Sequence, residues 1–201
     1  MSKAVFIAFC ALLTCSSAIA QQYRHIKIGD YRYKLPASVG LIATSGMDTP
    51  TGTVALQLVA SHPTMTLLPS GFGSDGTGWH DSIRILYQSV PGRKAISGEK
   101  LLAVRLSNPW MSREKFHVTG SGFKVFEPTL KSFDEVWTKP LADGGIFVMD
   151  CSQQGWDIYP ACKVMEWWQG ADLSYSFSRR YVDDAVIIDA EVKKLLTSYR
   201  E

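Results

Sequence analysis

The sequence predicts an α+β domain: an antiparallel sheet of about five to seven strands with a C-terminal amphipathic helix packed on one face. Three observations support this fold class. Short segments that alternate apolar and polar residues recur along the chain, separated by turns that contain glycine or proline. The last segment has helical periodicity instead. No βαβ alternation and no internal repeat occurs.

Residues 1–20 have the pattern of a secretory signal peptide. Lys3 precedes an apolar run over residues 4–13, and Ala18 and Ala20 are the small residues that a signal peptidase recognises. The run is shorter than the ~20 apolar residues that a membrane-spanning helix needs. We therefore expect cleavage after Ala20 and a periplasmic or secreted protein with no transmembrane segment after signal removal.

A lipoprotein site with Cys15 as the lipidated residue is an alternative, which Thr14 fits poorly. Residues 21–201 are enough for a single domain with its own core. The formal net charge of +2 is close to neutral and gives no electrostatic argument for nucleic acid as a partner.

The cysteines that remain, Cys151 and Cys162, predict a disulfide-tied β-hairpin. Two apolar segments, 146–151 and 162–169, flank the loop 152–161. Oxidation is the default in an exported protein, although a free pair of thiols is the alternative. Two cysteines without nearby histidines make a zinc site improbable.

Other segments predict the rest of the sheet. Strands are expected at 23–28 and 31–35 as a hairpin, at 53–60, at 82–90, at 116–119 and 123–126 as a second hairpin, and at 173–181. Segment 96–106 is compatible with helix or strand, and the alternation of Leu102, Val104 and Leu106 favours strand.

The final helix is expected to begin near Ala185, with Asp183 or Asp184 as its cap. It carries one apolar stripe at helical spacing, formed by Ile188, Val192, Leu195, Leu196 and Tyr199. A stripe of this kind needs the sheet to bury it.

Large apolar side chains on the two longest loops are the candidate binding residues. The tied loop carries Trp156, Ile158 and Tyr159, and the glycine-rich loop carries Phe72 and Trp79. Aromatic side chains on a preordered loop bury much area in a protein interface at a low entropic cost. The alternative is that they fold back onto the sheet, the commoner fate of large aromatics.

Signatures of catalysis are weak. Residues 71–76 match G-x-G-x-x-G by letter, but no strand and helix flank them as a dinucleotide site requires. Ser74, Asp75, His80 and Asp81 are residue types of a hydrolytic triad, yet they share one flexible loop, whereas triads draw on distant rigid segments. No histidine spacing predicts a metal site, so neither metal nor cofactor is expected.

Both ends of the sequence resemble small exported bacterial proteins of the periplasmic immunity type. The similar stretches are 28–36 near the start, and 162–179 and 188–200 near the end. The resemblance implies a non-enzymatic protein that blocks a secreted effector by direct binding, and it assigns no residue a role. An envelope-directed hydrolase and a structural or secretion-apparatus accessory remain the alternative functions.

Overall fold

Eleven strands and two α-helices make up the part of the chain that the structure, a computed structural model, describes: residues 22–44, 53–69, 72, 78–153, 155 and 157–201, without the side chains of 41–44. The predicted signal peptide therefore lies outside the described residues. The strands are β1 (Tyr23–Ile28), β2 (Tyr31–Pro36), β3 (Leu41–Thr44), β4 (Val54–Ser61), β5 (Ser82–Ser89), β6 (Met111–Val118), β7 (Lys124–Pro128), β8 (Glu135–Pro140), β9 (Ile146–Cys151), β10 (Ala161–Trp168) and β11 (Ala171–Ser178). The helices are α1 (Gly98–Leu106) and α2 (Ala185–Ser198).

Nine of the strands form one antiparallel sheet in the order β3-β4-β5-β11-β10-β9-β8-β7-β6, and β1 and β2 form a separate hairpin. The α+β class is confirmed, but five to seven strands was too low. The sheet gains strands from segments that were too short to assign from the sequence, such as β8, which pairs along its whole length with β9. No helix among the described residues is long and apolar enough to cross a membrane.

The inner face of the sheet carries the main core. Cross-strand partners Leu56, Tyr87 and Leu173 are each almost fully buried, because neighbouring strands place opposed residues on the same face. Helix α2 lays Ile188, Val192 and Leu196 into this core, which confirms the predicted apolar stripe. The helix therefore packs on one face of the sheet, as predicted.

The start of α2 differs from the prediction. Asp184 is its N-terminal capping residue, but its side chain accepts no capping hydrogen bond. Asp183 instead accepts a hydrogen bond from Ser121 Oγ at 2.5 Å, in the turn between β6 and β7. A short 3-10 segment, Arg179–Asp184, runs directly into the helix, so the chain enters α2 without a side-chain cap.

The hairpin β1–β2 packs against the same core through its buried side chains Ile26, Ile28, Tyr33 and Leu35. Lys34 N donates to Tyr199 O at 2.8 Å and Glu201 N to Arg32 O at 3.0 Å, so β2 lies along the end of the chain. Tyr33 is fully buried, and its hydroxyl donates to Tyr87 Oη at 3.3 Å.

Segment 96–106 was predicted as a strand, and this was wrong. The structure has helix α1, whose N-terminus is capped by Ser97 Oγ accepting from Lys100 N at 3.3 Å. Its residues Leu101, Leu102 and Leu106 pack on a second, smaller cluster on the outer face of the sheet. A side-chain cap and tertiary packing therefore outweighed the short alternating pattern.

A Gly29→Ala substitution is expected to lower the free energy of unfolding by about 3 kcal/mol. Gly29 has a φ of +58°, and a Cβ there would lie 2.5 Å from Gln169 O in the turn between β10 and β11. Gly92→Ala is the matched control, since its φ is +77° but nothing lies within 4 Å of the added carbon. We expect a cost of about 1 kcal/mol there, from backbone strain alone. Equal costs for the two variants in urea denaturation would contradict a close contact between the turns.

Candidate functional site

One end of the sheet, where β9 ends and β10 begins, holds the predicted hairpin loop. Cys151 and Cys162 form the expected disulfide, with an S–S distance of 2.08 Å, and both are fully buried. Beside it, Ser152 N donates to Ala161 O at 2.9 Å, and Ala161 N donates to Ser152 Oγ at 2.9 Å. The base of the loop is thus fixed by a covalent bond and two hydrogen bonds.

Arg179, which follows β11, fastens the loop to the sheet. Its backbone N–H donates to Pro160 O at 2.9 Å, and its guanidinium donates to Ser152 O and to Glu135 Oε2, the latter at 2.7 Å. Trp137 Nε1 donates to the same Glu135 oxygen at 2.7 Å. The ion pair is mostly buried, so the loop is held on both of its arms.

The structure brings the two loops predicted for binding together. The rings of Trp79 and Tyr159 meet edge to face, with centroids 5.0 Å apart. Phe72 lies over Gly78, where an added Cβ would be 2.7 Å from Phe72 Cζ. Phe72, Trp79 and Tyr159 therefore belong to one continuous region. The sequence had offered the tied loop and the glycine-rich loop as two separate candidates.

Exposure separates these candidates from core residues. Ile158 is 85% exposed and Tyr159 is 53% exposed, so neither folds back onto the sheet. Trp79 is partly buried. Trp156 lies outside the described residues, and its role stays a prediction. Ile158 in particular presents its apolar side chain to solvent beside the exposed Tyr159, on a loop that the disulfide fixes.

Two apolar residues next to the tied loop were missed by sequence reasoning. Gln153 Nε2 donates to Phe133 O at 3.1 Å, and the Phe133 ring stacks with Trp110 at 6.0 Å between centroids. Trp110 is 45% exposed and Leu130 is 43% exposed. We call Trp79, Trp110, Leu130, Ile158 and Tyr159 the disulfide-end surface. The Asn-Pro-Trp turn at 108–110 was the one local signal for Trp110.

The acidic residues around the loop are of two kinds. Burial raises the pKa of Asp134, and the neighbouring carboxylate of Asp157 raises it further. The hydrogen bond from Tyr181 holds the pKa of Asp81 below its usual value, and the Arg180 guanidinium, which donates to the same oxygen, adds to this. Asp134 thus has a second acid in its neighbourhood, whereas Asp81 is already paired with Tyr181 and Arg180.

This pairing bears on the hydrolase alternative. Asp81 Oδ1 accepts from Tyr181 Oη at 2.6 Å and from Arg180, while the His80 ring stacks on Trp79 at 3.9 Å between centroids. In a triad, the acid orients the histidine by a hydrogen bond. No such bond joins Asp81 to His80 in the described part of the chain, and Ser74 and Asp75 lie outside it. Among described residues, no group of three or more histidine, cysteine or acidic side chains is placed to hold a metal ion.

A cavity of about 440 Å³ opens beside Trp79, with aromatic walls and a basic rim. Its lining comprises Trp79, His80, Trp137, Pro160, Ser178, Arg179, Arg180 and Val182. Both arginines are engaged, Arg179 by Glu135 and Arg180 by Asp81. The cavity is large enough to receive a side chain from a partner protein beside the exposed Tyr159.

Comparisons with known proteins support the fold. No protein-family model matches the chain, and no curated protein matches it in sequence. Among solved structures, the chain is similar to Smlt3025, an immunity protein of the Stenotrophomonas maltophilia type IV secretion system, with a TM-score of 0.59 and 13% sequence identity. The match covers 90% of this chain and 94% of that one, so the two proteins share their fold over most of their length.

Proposed function

We propose that this protein is a non-enzymatic inhibitor that binds a secreted effector protein in the periplasm and blocks it, as an immunity protein does. The observation that carries the proposal is the exposed apolar side chain pair Ile158 and Tyr159 on a loop fixed by a disulfide and by Arg179. A fixed loop loses little conformational entropy on binding, so less of the contact energy is spent on ordering it.

The similar structure supports this assignment at the level of the fold. Smlt3025 is an immunity protein, and its fold is shared over nearly the whole of both chains. The disulfide between Cys151 and Cys162 fits an oxidising compartment such as the periplasm, where effectors that enter from outside would be met. The predicted signal peptide agrees with the same location.

The disulfide-end surface has the composition of a protein interface. Two of its five members are tryptophan and one is tyrosine, residue types that dominate binding energy at interface centres. Tyr159 is braced by Trp79, which presets its orientation before a partner arrives. The cavity beside Trp79 would receive a protruding side chain of the effector.

Tyr159→Ala and Ile158→Asp are each expected to weaken binding to the effector at least tenfold, or about 1.4 kcal/mol. The probe is the purified secreted protein encoded next to this chain's gene, and the measurement is titration calorimetry. Ile187→Asp is the matched control, because Ile187 is 64% exposed on α2, which packs on the inner face of the sheet. Its affinity should equal that of the wild type.

Two results would count against the proposal. If the neighbouring secreted protein neither bound the wild type nor was inhibited by it, the inhibitor role would be lost. If it bound, but equally well to the Tyr159 and Ile158 variants and less well to the Ile187 control, the contact surface would lie elsewhere on the fold.

A further inference from the structure

The outer face of the large sheet is only partly covered. Helix α1 packs on β7, β8 and β9 through its leucines, against Phe126, Val136 and Val148. The rest of this face is formed by β10, β11, β5 and β4. A single cross-strand row runs over both parts and consists of Val136, Asp150, Lys163, Ser176, Arg84 and Val59.

A groove of about 360 Å³ lies on the uncovered part. Val59 and Leu86 give it an apolar floor, and Pro69 and Phe72 form one wall. The charged residues among its lining are Arg84 and Lys163, and no acidic residue lines it in the described part of the chain. The groove therefore combines apolar contact area with positive charge.

Lys163 is the cation that the fold leaves available. Its cross-strand neighbour Asp150 accepts a hydrogen bond from Arg105 Nη2 at 2.7 Å, so α1 supplies the partner of that carboxylate. Lys163 is exposed and makes no ion pair within 4.0 Å with any residue that the structure describes, although its charge, after that of Arg105, opposes the rise that burial causes in the pKa of Asp150. Arg84 already has an interaction within the chain, so the argument rests on Lys163.

The groove differs in this respect from the cavity beside Trp79. There, Arg179 and Arg180 are both neutralised by acids of the same chain, at Glu135 and Asp81. The two concavities are linked through Phe72, which lines the groove and contacts Gly78, the residue before Trp79. A partner that covers the disulfide-end surface would reach the groove across Phe72.

We infer that the groove receives an aspartate or glutamate side chain of the effector, whose carboxylate pairs with Lys163 while its neighbours pack on Val59, Leu86 and Phe72. This inference rests on the proposed function and names a second contact in the same interface. Opposite charges across an interface steer the encounter and set its salt dependence, whereas the apolar contacts hold the complex once formed.

Lys163→Glu is expected to weaken effector binding at least tenfold, mainly by slowing association, and Lys163→Ala to weaken it about threefold. Association and dissociation rates are measured by surface plasmon resonance at about 50 mM and about 500 mM salt, with the secreted protein encoded next to this chain's gene. The wild-type association rate should fall with salt, and that of Lys163→Glu should not fall. Lys194→Glu, an exposed change on α2, is the control and should bind as the wild type does.

The outcomes separate the two proposals. Unchanged binding by Lys163→Glu, together with lost binding by Tyr159→Ala, would overturn the groove contact and leave the inhibitor role standing. Unchanged binding by both variants would overturn the groove contact and place the interface away from the disulfide-end surface, whereas failure of the wild type to bind would overturn the inhibitor role. If the wild type formed a dimer by sedimentation that Lys163→Glu abolished, the occupant would be a second copy of this chain, which also overturns the inference.

Discussion

Replacement of Lys193 by methionine is expected to lower the free energy of unfolding by about 3 kcal/mol at pH 9 and by about 2 kcal/mol at pH 5. Lys193, on α2, donates to Glu166 Oε2 and to Asp189 Oδ2, each at 2.8 Å. Asp189 also accepts from Tyr175 Oη at 2.8 Å in the core. Without the ammonium, two carboxylates between helix and sheet lose the cation that they share.

The pH dependence follows from Glu166. Burial raises its pKa to about 8 from an ordinary value of 4.5, Asp189 adds to the rise, and Lys193 opposes it. Between pH 4.5 and 8, the native state therefore holds a proton that the unfolded state has released. The free energy of unfolding falls as pH rises through this window, by at most about 1.4 kcal/mol per pH unit, and levels off above it.

Loss of Lys193 raises the pKa of Glu166 further, so the variant continues to lose stability above pH 8, where the wild type has levelled off. The two proteins are compared by urea denaturation from pH 5 to pH 9, a range below the raised pKa of Lys193 itself. Lys194→Met is the matched control, since its side chain is 75% exposed and pairs only with Glu191 in the described chain. It should change stability by less than about 0.5 kcal/mol.

A second variant tests the cause. Adding Glu166→Gln to Lys193→Met removes the ionisable carboxyl, so most of the stability lost at pH 9 should return, and the part of the slope between pH 4.5 and 8 that Glu166 contributes should disappear. If the double variant were no more stable than Lys193→Met at pH 9, lost packing of the lysine stem would account for the effect, and the charge argument would be wrong.

The sequence predicted those features that depend on local pattern. The alternation over 173–178 and the stripe on α2 each determine which side chains meet the core, and both were confirmed. The predicted strand extended to residue 181, which was wrong, because Arg179–Asp184 form the 3-10 segment that leads into α2. The role of Asp189 was not predictable, because it is one polar residue beside that stripe and its burial depends on Tyr175 and Lys193 lying across from it. Segment 96–106 failed for a related reason: packing on the outer face decided between two local patterns.

In the candidate site, too, the sequence predicted individual residues but not the contacts between distant segments. Chemistry alone selected Ile158 and Tyr159 as anchors, and whether they bind a partner stays a prediction. The contact of Tyr159 with Trp79 depends on the order of strands in the sheet, which joins segments far apart in sequence. Gln153 hydrogen-bonds the backbone of the segment 130–133, so this segment, with Leu130 and the Trp110 that stacks on Phe133, lies beside the tied loop. The order of strands depends on contacts between distant segments, so the local sequence around these residues does not predict it.

Reduction of the disulfide is expected to lower the free energy of unfolding by about 3 kcal/mol, because the crosslink restricts the unfolded chain over a separation of 11 residues. Cys151 and Cys162 are fully buried, so the reductant acts on the unfolded state rather than on the native one. The measurement is urea denaturation with and without dithiothreitol. The double variant Cys151→Ala, Cys162→Ala is the control and should not respond to the reductant.

The same double variant separates stability from binding. The tied loop is also held by the bonds of Ser152 to Ala161 and of Arg179 to Pro160, so it should keep its position while the domain is folded. Under conditions where the variant is fully folded, its affinity for the effector should therefore fall by less than tenfold, although its stability falls by about 3 kcal/mol. A larger loss would mean that the crosslink itself sets the orientation of Ile158 and Tyr159, and that the polar bonds at the base of the loop are too weak to do so.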